Sequence, residues 1–486
     1  MISVIGATLK KLRDDAHVAS LSTDGTRIVF SDVASRDLWI MNSDGGDARP
    51  VIKREPGYRL FKPTWFPNDK RIAYIKYRVK DSVVEQTLES RDLKGGDPVV
   101  LLSNPRLSDF CWAQNGRLLY SVNEPRPNQY DSNLWELQFD PETGKPKDPG
   151  RRLTDWTGFA FDYTEMTGDG KRLVFLNDHS QSDVYVGELA AGGGELKAPQ
   201  RLTLDERLDW PGGWMQDGKS ILFYSDRNGT FDIYKQALSE RNAEAVITSS
   251  TEKWEPQISP DGKWILFMEW QKPAEGMPMG TGKLMRSPVG GGPSETVMDI
   301  KGYPSSITSS NIADTSGSFP SFRCPSHAGA DCVLAESDDK QLIFTAFDPV
   351  QGKKSELTKV SSVPDFSRWD LSPDGSRVAI SLFDYKAGDV QIVSLAGGAT
   401  QKFSVIPWTE LAVVAWTADG QGLFLGSYSS RGTSIVHTDL KGQSKLLFKS
   451  VWDIFSLLPS PDGQQLAFGP IVTSANAWTV AQFPPH

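Results

Sequence analysis

Aromatic residues beside an acid, a lysine or an arginine recur along this chain, each time in a short polar segment that leads into an apolar run. Such side chains suit the binding of a peptide, a sugar or a protein loop, because aromatic rings supply contact area and charges supply specificity. At any single position a structural role, with the ring packed between elements and the charge capping a strand end, is the simpler interpretation. For the set as a whole, ligand binding is favoured. The candidate ligand-binding residues are Tyr58, Lys62, Tyr163, Asp209, Trp210, Trp254, Glu255, Arg368, Trp369, Trp408, Glu410 and Trp452.

Patterns typical of catalysis are not found in the sequence. There is no Gly-x-Ser-x-Gly nucleophile elbow, and the turn segments carry only two acids each, too few for a calcium loop. None of the histidines has zinc-ligand spacing with another His or Cys. They are His17, His179, His327, His437 and His486. The sequence therefore predicts no catalytic residue, no metal site and no cofactor. One enzymatic alternative stays open, a lyase-like site that gathers a distant His, Arg and acid in a central channel.

The three cysteines allow two interpretations. Cys111 lies in a strand-like run before Trp112 and is predicted to be a small buried apolar residue. Cys324 and Cys332 flank the turn-forming stretch 325–331, and a hairpin there would bring their sulfurs within disulfide range. Two free thiols are the alternative. A bridge would indicate an oxidising compartment.

A short sequence phrase occurs nine times along the chain and separates the candidate segments from one another. The phrase is a turn with Asp-Gly or a variant of it, a polar residue, and then three or four apolar residues. The copies lie at 23–30, 67–74, 114–120, 168–175, 216–223, 260–267, 373–380, 418–425 and 461–468. Pro restricts φ at the turn, Asp caps it, and Gly adopts the left-handed conformation. The apolar run that follows suits a buried strand. Further short strands flank each copy, so the unit is four antiparallel strands in about 45 residues, which is one propeller blade.

The repeat predicts an all-β chain of 486 residues with about ten four-stranded blades. The tenth blade occupies 319–360, where the cysteine hairpin replaces the Asp-Gly turn; aligning 338–340 with that turn is the alternative and leaves the blade one strand short. The last copy has strands at 465–469 and 476–483, and residues 7–12 are predicted to complete it and close the ring. A single domain over 1–486 is the first choice. Two smaller propellers, with a junction near 277–318, are the alternative.

The net charge of −9 comes from scattered residues. Without a basic run to neutralise phosphates, a nucleic-acid partner is not expected. No segment approaches membrane-spanning length, and the N-terminus lacks the apolar core of a signal peptide. The chain is therefore expected to be either cytoplasmic or a domain excised from a larger protein.

The Ser-Pro-Asp-Gly phrase resembles the PD40 (WD40-like) repeat of TolB-like and peptidase propellers. The C-terminal half, with 323–336, 342–349, 369–375 and 476–478, is similar to sensor propellers attached to bacterial Ser/Thr kinases and winged-helix regulators. This resemblance implies an extracytoplasmic, periplasmic location and a signalling role in a larger protein. The peptidase propellers work with an α/β hydrolase domain, which these residues do not supply.

In such a propeller, the segments that enter the innermost strands surround one mouth of the central channel. The predicted function is therefore non-enzymatic binding or sensing of an unknown small ligand, peptide or protein at that face. The alternatives are the lyase-like enzyme and a pure protein-interaction scaffold.

Overall fold

The computed structural model describes most of the chain. The described residues are 11–14, 16–32, 37–80, 83–94, 96–113, 116–125, 131–140, 145–147, 149–167, 170–190, 193–204, 207–270, 282–301, 320–337, 341–361, 368–383, 387–429 and 431–481. All the named elements in these ranges are β-strands. The all-β prediction is confirmed.

The strands fall into two compact units, residues 1–179 with 474–486 and residues 180–473. The strands of the first unit are β1 (Ala16–Leu21), β2 (Arg27–Asp32), β3 (Leu38–Asn42), β4 (Arg49–Ile52), β5 (Arg59–Trp65), β6 (Arg71–Lys80), β7 (Val83–Asp92), β8 (Val99–Ser103), β9 (Leu107–Trp112), β10 (Arg117–Asn123), β11 (Ser132–Gln138), β12 (Arg151–Arg152) and β13 (Asp162–Met166). The long strand β14 (Arg172–Ser182) begins in this unit.

The second unit contains the larger number of strands. They are β15 (Tyr185–Ala190), β16 (Glu195–Leu196), β17 (Gln200–Arg201), β18 (Asp209–Trp214), β19 (Ser220–Ser225), β20 (Asp232–Ala237), β21 (Glu244–Ile247), β22 (Glu252–Ile258), β23 (Trp264–Trp270), β24 (Gly282–Pro288), β25 (Glu295–Ile300), β26 (Ser321–Arg323), β27 (Cys332–Ser337), β28 (Gln341–Asp348), β29 (Gly352–Ser361), β30 (Arg368–Leu371), β31 (Arg377–Phe383), β32 (Gly388–Ser394), β33 (Gln401–Ser404), β34 (Leu411–Trp416), β35 (Gly422–Ser429), β36 (Gly432–Asp439), β37 (Ser444–Lys449) and β38 (Asp453–Pro459). The last strand, β39 (Gln465–Ala481), ends beyond the unit.

Most sheets are four-stranded, antiparallel and sequential, as in β18-β19-β20-β21 and β22-β23-β24-β25. The predicted Asp-Gly turn joins the first strand of a sheet to the second. Between β22 and β23, for example, Ser259 Oγ and the Lys263 amide both donate to Oδ1 of Asp261, at 2.6 and 3.1 Å, and Gly262 has φ 72°. These bonds close the turn that the sequence phrase predicts.

The apolar run after each turn packs between neighbouring sheets. One core cluster joins Leu222 and Ile233 of the β18–β21 sheet to Ile265 and Phe267 of the next sheet. Burial of these side chains is the main force that holds one sheet against another. The apolar second strands are consistent with a multi-bladed propeller.

In the second unit β18 contacts β22, β22 contacts β26, β30 contacts β34, β34 contacts β38 and β38 contacts β18. A hydrogen bond of 2.7 Å from Trp369 Nε1 to Ser321 Oγ joins β30 to β26. Trp214 of β18 donates through Nε1 to the carbonyl of Leu458 in β38, at 2.9 Å. The first strands of this unit therefore surround a common space.

The predicted tenth blade is present as the sheet β26-β27-β28-β29, with the cysteine hairpin between β26 and β27. The last repeat differs from its prediction, because residues 465–481 form one strand where two were expected. The β-branched residues Ile471 and Val472 favour continuous extended structure there. β15 pairs with β39, with Tyr185 opposite Phe468, and takes the place of the third strand.

The division between the units lies at 179/180 and 473/474. The described part of 277–318 forms strands β24 and β25 inside the second unit. Residues 7–10 of the expected closing strand lie outside the described ranges. The count of ten blades, the closure by the N-terminus and the single domain over 1–486 stay predictions.

Candidate functional site

The first strands of the second unit are interrupted close to where they begin. In β22 the register with β23 shifts between Trp254 and Gln257, and Glu255 has φ 49°. Glu410, directly before β34, has φ 50°. A left-handed backbone at a non-glycine residue costs about 1–3 kcal/mol and persists only where the surroundings impose it. The bulge reorients the glutamate side chain relative to the regular pleat.

Glu255 belongs to an ion-pair network centred on Arg323 of β26. Arg323 Nη1 donates to Oε2 of Glu255 at 3.3 Å, and its Nε lies 3.4 Å from Oδ1 of Asp370 in β30. The other carboxylate oxygen of Asp370 accepts the amide of Trp416 at 2.8 Å. One guanidinium thus joins acids of the two flanking sheets.

Arg368, at the start of β30, lies in the same electrostatic environment. Burial lowers the pKa of Arg368, while Tyr428 and Glu255 oppose that change. Burial also raises the pKa of Tyr224, with a smaller contribution of the same sign from Glu255. Arg368 and Tyr224 therefore lie near Glu255, and Tyr428 lies near Arg368.

An aromatic wall continues the site toward β18 and β38. Trp210 stacks on Tyr224 with 6.5 Å between ring centroids and meets Phe455 edge-on at 6.2 Å. Phe455 also contacts Tyr428, at 5.5 Å. Tyr428 Oη donates to the carbonyl of Ile454 at 2.9 Å, so its ring is held in place.

Two further carboxylates, Glu410 and Asp453, lie at the entry to β34 and β38. Burial raises the pKa of both groups, and the charge of Asp453 raises that of Glu410 further. No ion pair joins either carboxylate to a cationic side chain within the described part of the chain. Both acids therefore carry an uncompensated charge when ionised.

We call these residues the Arg323 cluster. Its members are Trp210, Tyr224, Glu255, Arg323, Arg368, Asp370, Glu410, Tyr428, Asp453 and Phe455, and each is neither fully buried nor fully exposed. The side chains of Glu255, Arg323 and Asp370 are 28%, 29% and 19% exposed to solvent. Burial nevertheless dominates the pKa shifts of Glu255 and Asp370. Groups that are densely surrounded yet reachable by solvent lie in a recess, as ligand-binding groups do.

Four of the sequence-predicted residues lie in this cluster: Trp210, Glu255, Arg368 and Glu410. The neighbouring Asp209 is buried, and Nη2 of Arg227 donates to both of its carboxylate oxygens, at 3.0 and 3.1 Å. These contacts indicate a structural ion pair. Trp254 is 7% exposed and packs between Phe231 and Tyr224. It supports the cluster from behind.

The other predicted tryptophans of this unit have structural contacts. Trp369 is buried and donates to Ser321 Oγ at 2.7 Å, which joins β30 to β26. Trp408 donates to Ser444 Oγ at 3.1 Å. Trp452 is 39% exposed in the loop before β38.

Tyr58, Lys62 and Tyr163 belong to the first unit. Tyr58 donates to Glu85 at 3.2 Å, and the cations of Lys76 and Arg78 both lie 4.3 Å from its ring centroid. Lys62, at φ 45°, pairs with the buried Asp109.

Asp109 also accepts the amide and hydroxyl of Thr164, at 2.6 and 2.7 Å. This network therefore joins β5, β9 and β13. Tyr163, directly before Thr164, has φ 49° and is 61% exposed.

The sequence-based prediction missed Tyr224, Arg323, Asp370, Tyr428 and Phe455. Arg323 directly precedes Cys324, where no repeat phrase marks the strand. Tyr224 and Tyr428 lie near the ends of second strands, whereas the prediction considered only the segments that enter first strands. A Tyr-Ser pair recurs at 224–225 and 428–429, but the same pair stands at 120–121 in β10, outside the cluster, so it gives no specific signal.

Cys324 and Cys332 are joined by a disulfide bond, and Cys111 is a buried free thiol whose pKa burial raises to about 12. Among the described residues no group of three or more His, Cys, Asp and Glu could hold a metal ion. In the same part of the chain, no helix has the length and apolar character needed to cross a membrane. The His437 side chain contacts Phe424 of its own sheet, and His327 is exposed near the Pro373 carbonyl. Neither histidine lies in the Arg323 cluster.

Residues 164–284 match the family described as the TolB beta propeller domain, PD40. The chain is thus similar to TolB-like propellers. The Tol-Pal system protein TolB of Francisella tularensis subsp. tularensis is 27% identical over 208 residues, which are 41% of this chain and 44% of that protein. The chain therefore spans less than half the length of this curated relative.

Two solved structures are also similar. The crystal structure of TolB from Acinetobacter baumannii is 17% identical and covers 70% of this chain and 77% of its own, with a TM-score of 0.25. The tricorn protease is 13% identical and covers 93% of this chain and 46% of its own, with a TM-score of 0.26.

Proposed function

We propose that the chain is a non-enzymatic binding protein whose second unit holds its ligand at the Arg323 cluster. The observation that carries this proposal is the convergence of charged and aromatic side chains from the first and second strands of successive sheets. Two of these positions, Glu255 and Glu410, have left-handed backbones. Strain and incompletely compensated charge in one recess are typical of functional sites.

The charges of the cluster favour a ligand with a cationic group. Arg323 is already paired with Glu255 and Asp370. Glu410 and Asp453 remain without a described counter-charge, and the rings of Tyr428 and Phe455 lie beside them. An ammonium or guanidinium group would neutralise the two acids and contact an aromatic face. The apolar part of the ligand would then lie against Phe455 and Trp210.

A protein partner is supported by the loops outside the cluster. The loops that enter β34, β38 and β18 expose Ile406 by 77%, Val451 by 75% and Leu204 by 61%. All three loops lead from an outer strand into a first strand, so they lie at the same end of their sheets as Glu410 and Asp453. Exposed apolar side chains that gather at one end of the sheets are typical of a protein-binding surface. The similarity to a Tol-Pal system protein also supports a protein partner.

The disulfide supports a location outside the cytoplasm, because such bonds persist in oxidising compartments. A sensor role within a larger signalling protein remains part of the proposal. A lyase-like activity is the alternative, and it requires an acid–base group that removes a proton from a substrate.

The test is a binding screen on the full chain. Acetylated and amidated peptides that carry lysine, glutamate or neither would be measured by calorimetry, with neutral oligosaccharides in parallel. We expect the lysine peptides to bind and Asp453→Asn to weaken them about tenfold, as for loss of one charge-assisted hydrogen bond. Equal binding of all peptides to the wild type and the variant would contradict the cationic preference. Turnover of any oligosaccharide would favour the lyase.

A further inference from the structure

The strand that presents Arg323 is unusually short. β26 contains only Ser321, Phe322 and Arg323, whereas the other first strands of this unit have four to seven residues. Its three residues pair with Val333, Leu334 and Ala335 of β27. So short a pairing contributes little stability of its own. Something else must hold Arg323 between its two acidic partners.

The turn after β26 also lacks the bonds that close the other turns. In the next sheet, Ser372 Oγ and the Ser376 amide donate to Oδ1 of Asp374, at 2.5 and 3.1 Å. Residues 324–331 contain no Asp-Gly pair, and Cys324 is bonded to Cys332 instead. The disulfide therefore occupies the place of the Asp-capped turn.

Cys324 connects this covalent bond directly to the cluster. Its amide donates to Oε1 of Gln257 at 3.2 Å, and Nε2 of Gln257 donates to the Phe322 carbonyl at 2.7 Å. Gln257 lies two residues after Glu255 on β22. The residues on both sides of Arg323, Phe322 and Cys324, are thus hydrogen-bonded to β22, the strand that carries Glu255.

We propose that the Cys324–Cys332 disulfide positions Arg323, and that its reduction by a dithiol loosens the Arg323 cluster. The effect on ligand binding rests on the function proposed above, but the effect on Arg323 does not. Cys324 is half-exposed, whereas Cys332 is fully buried. A dithiol thiolate therefore attacks Sγ of Cys324, and the sulfur of Cys332 leaves with the bonding electron pair and takes up a proton. The second thiol of the reagent then releases Cys324, giving two cysteine thiols and one oxidised reagent molecule.

The experiment is hydrogen exchange with mass spectrometry on the full chain, with and without dithiothreitol. Reduction is expected to speed amide exchange at least tenfold in 321–324 and in 255–258, and to leave β35 and β36 unchanged. The variant Cys324→Ser with Cys332→Ser should show the same pattern without reagent. Unchanged exchange in 321–324 in either sample would overturn the positioning role.

Asp419→Ala is the matched control, because Thr417 Oγ1 and the Gln421 amide donate to Asp419 in the corresponding turn two sheets away from the disulfide. It should speed exchange around 417–422 but not in 321–324. Equal exchange in 321–324 for this variant and the double serine variant would also contradict the proposal, since it would mean that any loosened turn has the same effect.

Binding of the lysine peptide provides the second measurement. The double serine substitution should weaken binding in the wild-type background and have no added effect in Arg323→Gln, because both changes act through the same side chain. Full additivity would overturn the coupling to Arg323. If no peptide binds but exchange responds as expected, the proposed function fails and the positioning role stands.

Discussion

Arg323, the last residue of β26, and Glu255 of β22 join two neighbouring sheets through a hydrogen bond of 3.3 Å. The same guanidinium lies 3.4 Å from Asp370 on the other side. Burial raises the pKa of both carboxyl groups, and the arginine opposes that change. Arg323 therefore favours the ionised form of two carboxyl groups whose pKa burial raises.

Arg323→Gln is expected to destabilise the second unit by about 1–3 kcal/mol at neutral pH, because it leaves two carboxylates without their cation. The measurement is thermal unfolding of the full chain. Arg323→Lys is the control, since it keeps the charge but cannot bond both acids in the same geometry, so its effect should be smaller. An equal loss for both variants would indicate that packing of the side chain, and not its charge, matters.

The loss of folding free energy caused by Arg323→Gln should depend on pH. Without the arginine, the folded-state pKa values of Glu255 and Asp370 rise further above their unfolded values. An acid with a raised folded pKa binds more protons when folded, so the folded state gains stability as the pH falls. The difference between wild type and variant should thus shrink from pH 7 toward pH 5. A constant difference over this range would contradict the electrostatic explanation.

Glu410→Gln should increase stability while it weakens ligand binding. The raised pKa of Glu410 means that its ionised form is disfavoured in the folded protein. Removing the charge should therefore raise the midpoint of thermal unfolding at pH 7.5 and have little effect at pH 4, where the wild-type carboxyl is protonated. Glu195→Gln, an exposed position of the same unit, is the surface control. A lower midpoint for Glu410→Gln would show that the carboxylate has a stabilising partner.

Loss of the Trp254 side chain should mainly lower the stability of the protein, whereas loss of the Trp210 side chain should mainly lower its affinity for ligand. Trp254 is 7% exposed and packs on Phe231 at 4.6 Å, so Trp254→Ala leaves a cavity and should cost about 3–5 kcal/mol. Trp210 is half-exposed beside Tyr224, so Trp210→Ala should cost less and mainly reduce affinity for the lysine peptide. Calorimetry and thermal unfolding of both variants separate these effects. The reverse ranking in stability would place Trp210 in the core.

The repeat phrase was sufficient to predict the sheets, because each local signal agrees with the structure it forms. Asp261 and Gly262 close a turn by bonds within a few residues, and the apolar run beyond them can only be buried between sheets. Even the sheet without the phrase, β26–β29, was predicted from its apolar runs. The continuous strand β39 was not, because its pairing with β15 depends on residues far away in the sequence.

The candidate site was predicted only in part, for a related reason. A residue such as Glu255 is marked by its place before a repeat, but nothing local shows that Arg323 lies between Glu255 and Asp370. Asp209 has the same sequence setting as Glu255, yet it is neutralised by Arg227 of its own sheet. Which charge is left for a ligand depends on contacts between sheets.

The Asp-Gly turns allow a last prediction, because their aspartates differ in the number of bonds they accept. Asp374 accepts bonds from the Ser372 hydroxyl, the Ser376 amide and the Ser376 hydroxyl, which lower its pKa to about 2. Asp217, in the turn between β18 and β19, accepts the Lys219 amide at 2.9 Å, and Met215 stands two residues before it, where the other turn has the hydroxyl of Ser372. Asp374→Ala should therefore destabilise the protein more than Asp217→Ala does, which thermal unfolding measures as a lower midpoint. The difference in the free energy of unfolding should be roughly 1 kcal/mol.

The lowered pKa of Asp374 determines how the destabilisation by Asp374→Ala should change with pH. An acid with a depressed folded pKa stabilises the protein at every pH above its unfolded value, and this stability is lost as the pH falls through the folded value. The effect of Asp374→Ala should be constant from pH 7 to about pH 4 and decline toward pH 2. Thermal unfolding at pH 6, 4 and 3 measures this decline. A difference that stays constant down to pH 3 would show that the turn is held by its backbone geometry, with no contribution from the ionised carboxylate.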